Sequence, residues 1–123
     1  MDTDAAARRW AGVWHRGWAE GNAEPIIALY TEDALFFWHP FLEPSSPREH
    51  VLDVVDGNGE VDPWFGEPVV EGERATVEWR AIVKSHGEEV TFAGVSLLRF
   101  RDDGQCTEER EVWMRTEGQI ERF

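Results

Sequence analysis

The chain has 123 residues, 41% hydrophobic and 30% charged, which suits one domain with one core and is too small for two ordinary domains. A net charge of −13 with a pI near 4.6 repels nucleic acid and anionic membranes, and no apolar run approaches the ~20 residues of a spanning helix. The acidic start, Met1-Asp2-Thr3-Asp4, is unlike a secretory signal, and the single Cys106 cannot close an internal disulfide, so the expectation is a cytoplasmic protein.

In chain order, residues 4–20 predict a helix with Trp10, Val13, Trp14 and Trp18 on one face. Gly21 suits a left-handed cap, and Asn22 is positioned to cap a short second helix with Ile26, Ile27, Leu29 and Tyr30 on its apolar side. Residues 34–38 are short, apolar and aromatic, which predicts a buried strand ending at His39-Pro40. Ser46 and Glu49 have capping-box spacing around Pro47, so a third helix is expected over residues 47–56, ending at Gly57. Residues 56–60 carry turn chemistry. Strands follow over residues 64–70, 75–84, 90–101 and 106–115, with turns at Glu71-Gly72-Glu73, His86-Gly87 and Asp102-Asp103-Gly104. The polar tail, residues 116–123, is expected to be poorly ordered.

Helices first and an antiparallel meander last is an α+β pattern over a single domain. The strand over residues 90–100 is apolar on both parities: Val90, Phe92, Leu98 and Phe100 on one, Ala93, Val95 and Leu97 on the other. An antiparallel sheet with one wet face has no need of that. Helices are available for one face only, so the other is expected to meet a second copy in a homodimer.

Three stretches resemble the SnoaL-like branch of the NTF2-like superfamily. They are residues 21–34, Val77-Glu78-Trp79-Arg80, and Leu98-Arg99-Phe100-Arg101-Asp102-Asp103-Gly104 followed by Arg110-Glu111-Val112-Trp113. The resemblance covers nearly the whole chain. It implies a cone-shaped domain in which three helices close over a curved, mostly antiparallel sheet around a pocket. It implies no particular activity, because the superfold hosts isomerases, cyclases, hydrolases and binding proteins alike.

By that resemblance His39 stands where ketosteroid isomerases keep a general base, also before a proline, and an imidazole there suits proton transfer near neutral pH. The isomerases' two oxyanion-hole groups fall at Trp14 and Ser96. Glu111 stands where limonene epoxide hydrolases keep a catalytic acid, while their Arg and second Asp fall near Val77 and Trp79. Strand parity puts Glu109, Glu111 and Trp113 on one face. If that face is the pocket, indoles around Glu111 raise its pKa and suit it to act as an acid; on a wet face it pairs instead with Arg99 or Arg110. Trp14, Trp18, Trp38, Trp64, Trp79 and Trp113 serve either as core or as the walls of an aromatic cage.

The four histidines lack metal-ligand spacing. Asp56, Asn58, Glu60, Asp62 and Glu67 loosely resemble a calcium loop, with Val61 where such a loop needs glycine. No phosphate loop or basic cluster is present. The expectation is therefore a small-molecule enzyme with neither metal nor organic cofactor, performing isomerisation, cyclisation, dehydration or epoxide opening by acid–base catalysis on an apolar, polyketide- or terpenoid-like substrate. His39 acts as base and Glu111 as acid, with Trp14, Trp18, Trp38, Trp79, Ser96, Glu109 and Trp113 around the ligand. The alternatives are a non-catalytic pocket of the same build and an interaction module that works through its open sheet face.

Overall fold

The computed structural model describes residues 1–57 and 59–123. Asp2 caps the first helix, α1 (Thr3–Glu20), accepting from the Ala5 N–H at 2.7 Å, and Gly21 closes it at φ 71°, where an L side chain would be strained. The indoles of Trp10, Trp14 and Trp18, four residues apart, share its buried face.

The second helix, α2 (Glu24–Ile27), is a single turn. Asn22 does not cap it; Ala23 holds the N-cap position without a side-chain bond. Leu29 and Tyr30 leave the helix because the last strand captures them. The Leu29 carbonyl accepts from the Cys106 N–H at 2.8 Å, and Tyr30 opens β1 (Tyr30–Phe37), pairing parallel with Cys106. Tertiary pairing overrides the local helical pattern there. The third helix, α3 (Pro47–Gly57), starts as expected, with the Ser46 hydroxyl accepting from the Glu49 N–H at 3.2 Å.

The stretch expected as one strand over residues 64–70 is two: β2 (Glu60–Phe65) and β3 (Val69–Glu71), both antiparallel to β4 (Arg74–Ser85). Gly66 donates to the Glu78 carbonyl at 2.8 Å, and Pro68, with no N–H, cannot continue the ladder. Pro63 is tolerated because β2 ends the sheet path. His86 and Gly87, both at positive φ, make the tight turn into β5 (Glu88–Phe100), and Gly104 (φ 85°) the turn into β6 (Cys106–Glu117).

The sheet order is β1-β6-β5-β4-β2, with β3 also on β4. Only β1–β6 is parallel, so the sheet is mixed and mostly antiparallel. The helices pack on one face of it. Ala75, Val77, Trp79, Ala81 and Val83 of β4 meet α1 in the core with Phe36, Leu98 and Phe100.

The tail is more ordered than its composition suggests. Thr91 donates its hydroxyl to the Gly118 carbonyl and accepts from the Ile120 N–H; Arg80 donates to the Ile120 carbonyl; Arg122 forms a two-pronged ion pair with Glu78 at 2.9 and 3.0 Å. These partners run the tail over the outer face of the sheet near Trp64, whose ring lies 5.1 Å from the Arg122 guanidinium.

Candidate functional site

Between α1, α3 and the inner face of the sheet is a cleft of about 100 Å³, lined by Trp10, Trp14, Trp18, Trp38, His50, Val54, Phe65, Trp79, Phe92, Glu111 and Trp113. Three of the indoles come from one face of α1. Trp79 and Trp113 stand on β4 and β6, on either side of Gly94 in β5. A Cβ at Gly94 would lie 2.7 Å from Trp113 Cβ and 2.5 Å from the Val112 carbonyl oxygen, so glycine is what lets β6 and Trp113 approach β5 this closely.

Beneath the indoles runs a buried polar network. Trp10 and Trp14 donate their ring N–H groups to the Tyr30 hydroxyl at 3.0 and 2.9 Å. Tyr30 donates to Glu109 Oε1 at 2.5 Å. Ser96 donates to Glu109 Oε2 at 2.9 Å and accepts from Trp79 Nε1 at 3.0 Å. Glu109 is fully buried, yet each of its oxygens has a hydroxyl donor, which makes such burial tolerable. The Trp18 ring N–H is buried with no acceptor among the described residues.

Glu111 follows two residues on, on the same face, 3.5 Å from Ser96 Oγ and with its side chain only 12% exposed. Burial raises the pKa of both carboxyl groups. The donors from Tyr30 and Ser96 moderate the rise at Glu109, whereas the adjoining Glu109 charge adds to it at Glu111. Glu109, pushed up to about 7, is the first of the pair to ionise, and its charge then favours the neutral form of Glu111, which faces the cleft. His50 of α3 stands opposite, with Nε2 3.8 Å from Glu111 Oε1 and its ring stacked on Phe36 at 4.2 Å between centroids. Burial lowers its pKa to about 4, so its imidazole is neutral. A single oxygen can lie ~2.8 Å from both groups, since they are closer than two hydrogen-bond lengths.

The expected partner of Glu111, His39, does not line the cleft. β1 ends at Phe37, and the chain turns at His39-Pro40. There the imidazole Nδ1 accepts from the Phe41 N–H at 3.2 Å, so the ring is held at the rim beside Trp113. Its place near the acid is taken by His50. Trp14, Trp18, Trp38, Trp79 and Trp113 line the cleft; Ser96 and Glu109 lie behind it; Trp64 stands on the far side of the sheet beneath Arg122. Glu111 faces inward, while Arg99 and Arg110 pair with Glu73 and Glu108 instead.

Sequence reasoning missed Trp10, Tyr30 and His50 in this role. Trp10 had a signal, the four-residue spacing to Trp14 and Trp18. His50 had one too, being four residues before Val54, beside the buried Val51 and Val55. Tyr30 had none, because its pairing with β6 is non-local.

Among the described residues, no group of three or more His, Cys, Asp or Glu is arranged to hold a metal ion. Asn58 of the calcium-like pattern lies outside the described residues. No described helix is long and apolar enough to cross a membrane.

Solved structures with the same fold include SalBIII, described as an epoxide hydrolase/cyclase-like enzyme with a role in pyran ring formation in the polyether salinomycin. It is 18% identical, with a TM-score of 0.78 over 93% of this chain and 95% of that one. An NTF2-like protein of unknown function from Exiguobacterium sp. 255-15 is 18% identical, with a TM-score of 0.73 over 89% and 98%. RV0760c from Mycobacterium tuberculosis is 17% identical, with a TM-score of 0.75 over 96% and 100%. At such identities the likeness is one of fold. Comparison with curated proteins finds no match. The SnoaL-like domain model matches residues 11–109, most of the chain, and the protein therefore belongs to the SnoaL-like family, within the NTF2-like superfamily.

Proposed function

We propose that the cleft carries out acid–base chemistry at a C–O bond of an apolar small molecule, an epoxide or an activated alcohol, without a metal or organic cofactor. The observation that carries this reading is the neutral Glu111 acid 3.8 Å from the neutral His50 imidazole inside an indole-lined cleft. Glu111 gives its proton to the substrate oxygen as the C–O bond breaks, the bonding pair staying on oxygen. His50 takes a proton from the incoming hydroxyl or water, or from the neighbouring carbon when the outcome is an alkene. The proton balance closes when His50 returns its proton through water to Glu111. SalBIII, which shares the fold, has a role in pyran ring formation, and ring closure by an internal hydroxyl is one form of this step.

The test is turnover of a panel of apolar epoxides and epoxy-alcohols. Glu111→Gln and His50→Asn are each expected to lower kcat about a hundredfold with KM little changed, and His39→Ala to have little effect. If ligands quench tryptophan emission but no substrate in the panel turns over, the cleft is a binding module. Val77 and Trp79, standing near where the epoxide hydrolases keep charged residues, favour that second reading.

A further inference from the structure

Six indoles and two phenyl rings surround the cleft. Four of the six indole N–H groups are spent on protein acceptors: Trp10 and Trp14 on Tyr30, Trp79 on Ser96, and Trp113 on the Trp38 carbonyl at 2.7 Å. Those four rings offer a ligand carbon and π surface rather than donors. Two carboxyl groups accompany them, Glu111 on the cleft wall and Glu109 behind it, and among the described residues neither has a lysine or arginine partner. Glu109 is held by the hydroxyls of Tyr30 and Ser96, and Glu111 meets Ser96 and a neutral imidazole. The arginines form their ion pairs at the exposed surface, with Asp4, Glu24, Glu78 and Asp103 among their partners. Such a cavity offers an anion no positive charge, and a neutral hydrocarbon uses only its walls.

We infer that the cleft selects positive charge on an apolar body, and that its ligand class is an organic cation such as a quaternary ammonium ion or a protonated tertiary amine. π faces and carboxylates together are the chemistry that recognises such ions. The inference rests on the acid–base reading of the same site: carbon that turns positive as a protonated C–O bond opens is the transient counterpart of this cation.

A cation in the cleft also alters Glu111. In the empty cleft, burial and the charge of Glu109 on the same strand keep Glu111 protonated. The other groups around the pair are Ser96 on β5, Tyr30 on β1 behind Glu109, and His50 on α3, itself under the influence of Asp53. None supplies a positive charge at neutral pH, so a bound cation is what favours the carboxylate, and its binding expels a proton.

The experiment compares benzyltrimethylammonium with its uncharged isostere neopentylbenzene. Affinities are read from tryptophan quenching at neutral pH, and proton release from calorimetry in two buffers of different ionisation enthalpy. The cation is expected to bind about tenfold or more tighter and to release close to one proton. Glu111→Gln is expected to abolish the release and most of the preference. Trp113→Leu, which keeps both carboxyl groups, lowers the preference through the lost π surface and stands in should the glutamine variant not fold. Equal or weaker binding of the cation, or binding without proton release, overturns the inference. So does a preference undiminished in both variants, since that belongs to the net charge of the whole protein. Epoxide turnover without cation preference would remove this inference and leave the acid–base reading standing; cation preference without turnover would do the reverse.

Discussion

At the scale of single residues, the informative groups are those that burial has forced into one protonation state. His50 has a folded-state pKa of about 4 against an ordinary 6.5. Above pH 6.5 it is neutral in both states and has no effect. As the pH falls through that value the unfolded chain takes up a proton that the folded protein refuses, so stability falls until about pH 4. The full window is worth about 3 kcal/mol. The raised carboxyl groups act over the same range in the parent and in His50→Gln, so in urea denaturation the gap between the two proteins should change by that amount between pH 7 and pH 4. A constant gap would mean that His50 is not buried as a neutral base. The raised carboxyl groups have the opposite sign. Their contribution is present below the ordinary carboxyl range and is lost as the pH rises through their folded pKa values. Tyr30 is a second test, since its hydroxyl accepts from two indoles and donates to Glu109. Tyr30→Phe leaves three buried groups short of a partner and should cost roughly 3–5 kcal/mol; an almost neutral change would show that the network is not formed.

At the scale of elements, the cleft depends on where β4, β5 and β6 place their inward residues. Trp79, Gly94 and Trp113 are cross-strand neighbours, and β6 lies so close to Gly94 that a side chain there would meet its backbone and Trp113. Gly94→Ala drives a methyl against the Val112 carbonyl and Trp113. It should cost roughly 2–3 kcal/mol and weaken ligand quenching, as Trp113 loses its bond to the Trp38 carbonyl. Parent-like stability in urea would overturn this account of the floor. The alternation of β4, the turn at His86-Gly87 and the capping of α3 were all legible from the chain, because each is set within a few residues. The split of β2 from β3, the capture of Tyr30 by β6 and the docking of the tail on Thr91, Arg80 and Glu78 were not, because each needs a partner distant in sequence.

At the scale of the whole molecule, the outer face of the sheet carries Leu97, Val112 and Met114 at 43, 56 and 78% exposure, with Val95 between them across the β5–β6 ladder. The tail covers the neighbouring region over Arg80 and Trp64 and leaves this part open. We propose that a second copy covers it. Light scattering at micromolar concentration should give about twice 14.1 kDa, and added salt should tighten the dimer by screening the repulsion of two acidic protomers. Met114→Lys should loosen it. A parent mass near that of one chain would end the proposal.

The sequence by itself determined the fold class, the acidic surface, the inward aromatic faces and the presence of Glu109, Glu111 and Trp113 on one side of a strand. Periodicity carries that information: side chains repeat every two residues in a strand and about every 3.6 in a helix. Only the tertiary structure decided which imidazole meets the acid. His39 follows three aromatic residues in the chain and His50 sits on a predicted helix, and neither local setting says which imidazole reaches the acid. The choice comes from the turn after β1, which engages His39 with a backbone amide, and from the packing of α3, which stacks His50 on Phe36 beside Glu111. Proximity of that kind is a property of how elements cross in space, and a one-dimensional pattern does not contain it.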